Sequence, residues 1–175
     1  EAPHTFARYE DLIHSGLVDA VIIATRNDRH CPLTLAALDQ GLHVLCEKPL
    51  GLTVADASRL IEMAERHQLR VGCAPDTFLG GGHQTCRTLI DGGALGSVVA
   101  GTAFFMCPGH ERWHPNPAFY YQPGGGPMLD MGPYYITALV NLIGPVARVS
   151  GITSRSRTQR LITSEPLKGQ LMDVT

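Results

Sequence analysis

The stretch at residues 41–53, GLHVLCEKPLGLT, decides the fold. A short apolar run, His43 to Cys46, ends abruptly in two opposite charges and a proline, Glu47, Lys48 and Pro49, before any turn residue appears. A run of this length reads as a strand covered on both faces, as in a parallel sheet. Upstream, residues 18–25, VDAVIIAT, show the same pattern. Between the two runs Pro32 suits a first helical turn, LTLAALDQ continues it, and Gly41 suits the position past the helix end. Downstream, Thr53 can cap a helix carrying Val54, Ala57, Ile61 and Ala64 at helical spacing, and RVGCA at residues 70–74 supplies a third strand. Strand, helix, strand, helix, strand at this spacing predicts two βαβ units with right-handed crossovers, hence a doubly wound parallel sheet.

That topology predicts a place for ligands, because open α/β sheets bind them outside the carboxyl ends of the strands. Those ends carry TRNDRH at residues 25–30, EKP at residues 47–49 and PDT at residues 75–77. Lys48 is then set at the mouth of a crevice by the strand beneath it, and Pro49 fixes the backbone there. The plain alternative is that Glu47 and Lys48 are solvated strand-end charges.

Composition narrows the classes. The chain has 175 residues, 44% hydrophobic and 17% charged, an ordinary globular balance that supports a core in one or two domains. A net charge of -2 without a basic stripe argues against nucleic acid, and no apolar run has the length of a membrane helix. Five cysteines, Cys31, Cys46, Cys73, Cys86 and Cys107, are odd in number and mostly embedded in apolar runs. They read as reduced, buried thiols of a cytoplasmic protein. The first residue is glutamate and the last five, LMDVT, look like a strand cut short, so an excerpt of a longer chain is expected.

After residue 80 the character changes. A glycine-rich approach leads into a helix over about residues 84–91, SVVAGTAFFM reads as a strand, and CPGHERWHPNPAFYYQPGGGP reads as a long functional loop. Residues 124–126 lead into the helix MLDMGPYYITALVNLIG, with a kink expected at Gly132 and Pro133, and ARVSGITSRS returns to strand. On that helix Asp130 and Tyr134 are four apart and share a face. A carboxylate and a phenol facing one way suit a hydroxylated substrate, the first accepting hydrogen bonds and the second passing a proton. A surface aspartate beside a core tyrosine is the plain alternative.

Taken together, AVIIATRNDRH, HVLCEKPL and GGGPMLDMGPYY, in this order, resemble the nicotinamide-dependent family of glucose-fructose oxidoreductase and inositol dehydrogenase. The resemblance spans nearly the whole chain. It implies the C-terminal part of a Rossmann-type sheet over residues 1–79, followed by part of an α+β substrate and oligomerisation domain over residues 80–175. It implies NAD or NADP as cofactor and a polyol, cyclitol or sugar-like substrate. Lys48 falls on the lysine that contacts substrate and cofactor, with Glu47 and Pro49 shaping its turn. Asp130 falls on the family's aspartate and Tyr134 on its catalytic position. Thr25, Asn27 and His30 fall on its dinucleotide loop, where Arg26 replaces the usual proline.

The family's G-x-G-x-x-G phosphate turn has no counterpart here and is expected upstream. With Tyr134 as proton donor to a forming alkoxide, an approaching Lys48 favours the phenolate and allows oxidation as well, so the two read as a proton-handling pair across an interdomain cleft. The resemblance also leaves open a member that binds dinucleotide without net redox chemistry, as a regulator or a glycoside hydrolase. Homo-oligomerisation of the full-length protein is expected. Cys107, His110 and His114 look metal-like, but only three ligands are visible in an irregular loop. Trp113 reads either as a platform for a nicotinamide or sugar ring or as an interdomain core residue.

Overall fold

The computed structural model describes residues 3–175. The chain divides into two compact units, Glu1–Ala74 and Pro75–Thr175. The division falls before residue 79, because the 3-10 turn Thr77–Leu79 packs on helices of the second unit.

The first unit holds helix α1 (Tyr9–Ile13), strand β1 (Ala20–Ile23), helix α2 (Asn27–Asp39), strand β2 (His43–Cys46), helix α3 (Val54–Arg66) and strand β3 (Val71–Cys73). The three strands form a parallel sheet in the order β1-β2-β3, with Ile23 opposite Cys46 and Cys46 opposite Cys73. The two βαβ units are therefore as the apolar runs predict. Helices α2 and α3 pack on one another over one face, where Ile23, Leu38, Val44, Cys46, Leu60 and Ala64 form the core. Leu38 and Leu60 are fully enclosed, each contributing about 1.5–3 kcal/mol through burial.

Several local expectations are corrected. The strands are covered on one face only: Ile22 is 74% exposed and Leu45 49%, and among the described residues nothing lies over them. Helix α2 begins well before Pro32, which sits inside it, so Cys31 accepts the helical conformation that a following proline disfavours. The inward stripe of α3 is Ala57, Leu60 and Ala64, with Met63 beside them, whereas Val54 and Ile61 face out. The cap sets this rotation. Thr53 and Asp56 form a reciprocal capping box, the Thr53 hydroxyl accepting from the Asp56 N–H and the Asp56 carboxylate from the Thr53 N–H. Of the five thiols only Cys46 is buried, and Cys73, Cys86 and Cys107 are exposed. Burial pushes the Cys46 thiol up to about 11, so it stays protonated and inert.

In the second unit helix α4 (Gly81–Asp91) packs on the helix expected to kink. That helix is broken into α5 (Pro127–Asp130) and α6 (Gly132–Ile143) at Met131, where Pro133 suits the first turn of the new helix. Arg87 of α4 donates to the carbonyls of Asn141 and Leu142, satisfying the open end of α6. Strands β4 (Gln159–Leu161) and β5 (Leu171–Asp173) pair antiparallel. Residues 97–106 and 147–156, expected as strands, make no ladder among the described residues, and leave Val99, Met106, Val149 and Ile152 at the surface. β-propensity marks an extended segment, but a strand exists only where a neighbour supplies the hydrogen bonds.

Leu60→Ala is expected to lower the stability of the first unit by about 2–5 kcal/mol. Val54→Ala on the outer face of the same helix should change it by under about 0.5 kcal/mol, both read by chemical denaturation.

Candidate active site

The edge of the parallel sheet is built by the register. The Glu47 N–H donates to the Ile23 carbonyl at 2.9 Å, so β1 and β2 stop together and their following residues leave side by side. Thr25 is exposed, Asn27 half-buried, Glu47 exposed and Lys48 half-buried. The Glu47 carboxylate turns back to accept from the Lys48 N–H at 3.2 Å, and Asn27 accepts from the Asp28 N–H at 3.0 Å. Arg26 has φ −67°, the value a proline ring imposes, so the arginine preserves the backbone course of the loop.

His30 is placed differently from a ligand-contacting residue. It is 1% exposed, with Nδ1 2.6 Å from the Pro49 carbonyl and Nε2 3.0 Å from the Thr25 carbonyl. Both ring nitrogens are taken up by backbone, one carbonyl from each of the two loops that carry Thr25 and Lys48. His30 thus braces the edge and offers no nitrogen to a ligand.

In the second unit Asp130 ends α5 and Tyr134 lies in the first turn of α6. They are not on one continuous helix, since Met131 separates the two axes. Asp130 meets His110, with Nε2 3.2 Å from Oδ2 and both side chains largely withdrawn from water. The His110 ring stacks on Tyr120 at 4.0 Å between centroids. Burial, then the charge of Asp130, raises the Tyr120 phenol above its ordinary range. Trp113 is 61% exposed and touches His110 and His114, so it is not part of the core of the second unit. Among the described residues no group of three or more His, Cys, Asp or Glu is arranged to hold a metal.

The loop around these residues is held by Glu111, which the sequence reading passed over. Its carboxylate accepts from the Tyr121 hydroxyl and from Arg160 Nε at 2.7 Å, and its carbonyl accepts from the Thr163 and Ser164 N–H groups. Burial raises the Glu111 carboxyl, but Tyr121 and Arg160 outweigh it and hold the group below its ordinary range. Burial and the bond to Glu111 push Tyr121 up to about 12. Gly125 lies against the backbone of Phe119 and Tyr120, where a Cβ would clash, and the Gly126 N–H donates to the Tyr120 carbonyl at 2.6 Å. A charged glutamate among aromatic and glycine residues was the available signal, since a carboxylate in an apolar loop must find partners.

Comparison with known proteins agrees with this architecture. Residues 1–74 match the model of an oxidoreductase family with an NAD-binding Rossmann fold, and residues 83–173 match the GFO/IDH/MocA C-terminal domain. The chain is 35% identical over 155 residues to a dTDP-3,4-didehydro-2,6-dideoxy-alpha-D-glucose 3-reductase of Streptomyces violaceoruber, covering 87% of this chain and 44% of that protein. It is 36% identical over 92 residues to an inositol 2-dehydrogenase of Salmonella paratyphi B, covering 52% and 27%. An NAD binding oxidoreductase from Klebsiella pneumoniae shares the fold, with a TM-score of 0.77 at 21% identity over 97% of this chain and 45% of the other. A two-part arrangement of parallel sheet and α+β unit is thus that of the NAD-binding oxidoreductases. The chain belongs to the GFO/IDH/MocA family. It spans less than half the length of the curated relatives named here.

The family implies a dinucleotide, and the residues present fit part of one. Thr25, Asn27 and Lys48 supply hydroxyl, amide and ammonium groups suited to ribose hydroxyls. The start of α2 does not suit a pyrophosphate, because its first turn carries Asp28 and no glycine-rich turn precedes it.

Glu111 stabilises the fold while ionised, so its contribution is present above the ordinary glutamate range near pH 4.3 and is lost as pH falls through its lowered value. Tyr121 stabilises while neutral, so its contribution is present below about pH 10 and is lost as pH rises through about 12. Thermal melts should show both flanks. Glu111→Gln is expected to remove the acid dependence from this site and to cost about 3 kcal/mol by leaving Arg160 unpaired. Gly125→Ala should destabilise the second unit by about 2 kcal/mol or more, measured by denaturant titration.

Proposed function

We propose that the protein is an NAD(P)-dependent oxidoreductase that moves a hydride between nicotinamide and a hydroxyl or carbonyl carbon of a sugar, cyclitol or related polyol. The observation that carries this reading is the pairing of Asp130 with His110 inside a chain whose two halves match the two family domains. The named relatives act on a deoxyhexose derivative and on inositol, substrates that share a carbon bearing a hydroxyl or a keto group.

Bound nicotinamide supplies the hydride chemistry, which leaves the protein to bind the substrate, orient the reacting carbon and manage one proton. Thr25, Asn27 and Lys48 hold the ribose side of the dinucleotide, with Glu47 and Pro49 setting the course of the Lys48 turn and His30 bracing it. Asp130, oriented by His110, accepts hydrogen bonds from substrate hydroxyls. Tyr134 hands a proton to the developing alkoxide in reduction and takes it back in oxidation.

In the full-length enzyme, Tyr134→Phe is expected to lower kcat by about 100-fold or more with dinucleotide affinity unchanged, followed by nicotinamide absorbance. Near-normal turnover of Tyr134→Phe would remove Tyr134 from the chemistry. A full-length protein that releases product with no net change in nicotinamide would overturn the redox reading itself.

A further inference from the structure

A cavity of about 520 Å³ opens within the second unit, its wall including His110 and Tyr120 from the loop and Ser154, Arg155, Ser156, Arg157 and Arg160. That volume lies in the range of about 300–1000 Å³ typical of sites for drug-sized ligands, and a bare hexose would leave much of it to water. The charge that side chains give the wall is one-sided. Three guanidinium groups line it, and no aspartate or glutamate is among the lining residues.

The three arginines are not equivalent. Arg160 is committed to structure, with Nε on Glu111 at 2.7 Å and Nη2 on the Pro108 carbonyl at 2.5 Å. Arg155 gives one Nη1 hydrogen to the Val174 carbonyl at 2.7 Å and keeps the rest of its fork. Arg157 makes no hydrogen bond or ion pair among the described residues, and both it and Arg155 are exposed. Glu111 neutralises Arg160, so two positive charges, two residues apart, remain uncompensated in a concave wall with the Ser154 and Ser156 hydroxyls between and beside them. Like charges held together in a cleft focus a field that favours an anion. The planar guanidinium fork matches phosphate oxygens in a bidentate geometry that an ammonium cannot reproduce.

We propose that this cavity takes the phosphoryl group of a phosphate-bearing sugar, with Arg155 and Arg157 on the phosphoryl oxygens and the Ser154 and Ser156 hydroxyls as added donors. His110, which pairs with Asp130, also lines this cavity. The sugar half of this proposal rests on the oxidoreductase reading; the phosphoryl half does not. The site is also separate in sequence from the dinucleotide-binding model, which ends at residue 74.

The test is calorimetric titration of the chain with inorganic pyrophosphate, glucose 1-phosphate, uridine diphosphate glucose and glucose. The phosphate-bearing probes should bind at least about tenfold more tightly than glucose, and Arg155→Gln/Arg157→Gln should weaken them by about tenfold or more. The stronger of glucose 1-phosphate and uridine diphosphate glucose tells a sugar phosphate from a nucleotide-linked sugar. Arg59→Gln/Arg66→Gln removes equal charge from α3, and circular dichroism verifies that both variants fold. The proposal is overturned if no phosphate-bearing probe binds, if glucose binds equally well, or if the α3 variant weakens binding as much. Binding is read without turnover, so a failure of nicotinamide reduction sinks the oxidoreductase reading and leaves this result standing.

Discussion

The structure depends first on the register between β1 and β2. Pairing of Ile23 with Cys46 places the ends of both strands level, and one further bond, from Glu47 N–H to the Ile23 carbonyl, carries that alignment into the loops. A slip of one residue would turn Val44 and Cys46 out of the core and bring Leu45 into it. It would also move Lys48 one position along the edge. Packing thus fixes position for function, because the apolar contacts of Leu38 and Leu60 with that face make any other register costly. His30 then joins the two loops from below, so the edge is tied by hydrogen bonds where the sheet itself has ended.

The second unit solves a different problem. Its loop at residues 107–127 is too rich in proline and glycine to hydrogen-bond itself into regular structure. A buried carboxylate does that work instead. Glu111 gathers Tyr121, Arg160 and two backbone N–H groups, and the loop becomes as determined as a helix would be. The glycines then matter through proximity: Gly125 lets α5 begin directly against the backbone of Tyr120, which brings Asp130 within reach of His110.

Much of this was legible in the sequence, and the reasons for the rest are physical. Apolar runs and caps revealed the βαβ series because each is a local pattern with one period. Thr53 announced its helix, and Gly132 and Pro133 announced a break close to where it occurs, at Met131. The stripe of α3 was misjudged at Val54 and Ile61 because two apolar series overlap there and only the facing helix chooses between them. Residues 97–106 and 147–156 have strand composition without strand partners among the described residues, a property no local reading can supply. The roles of His110 and Glu111 were hidden for a related reason. Their partners, Asp130 and Arg160, lie twenty or more positions away, and pairing at that distance leaves no spacing to read. His30, read from the sequence as part of a loop, lies in the first turn of α2, and its burial between two carbonyls reflects the meeting of separate segments.

The anchoring of Glu111 by Arg160 spans 49 positions of chain. During synthesis the loop leaves the ribosome first, and at about 5–20 residues per second its anchor follows some seconds later. For that interval Tyr120, Tyr121 and Trp113 form an unpinned aromatic segment, the kind of surface that chaperones bind. The order of the chain, and not only its final contacts, therefore sets when this loop gains its anchor while the protein is being made.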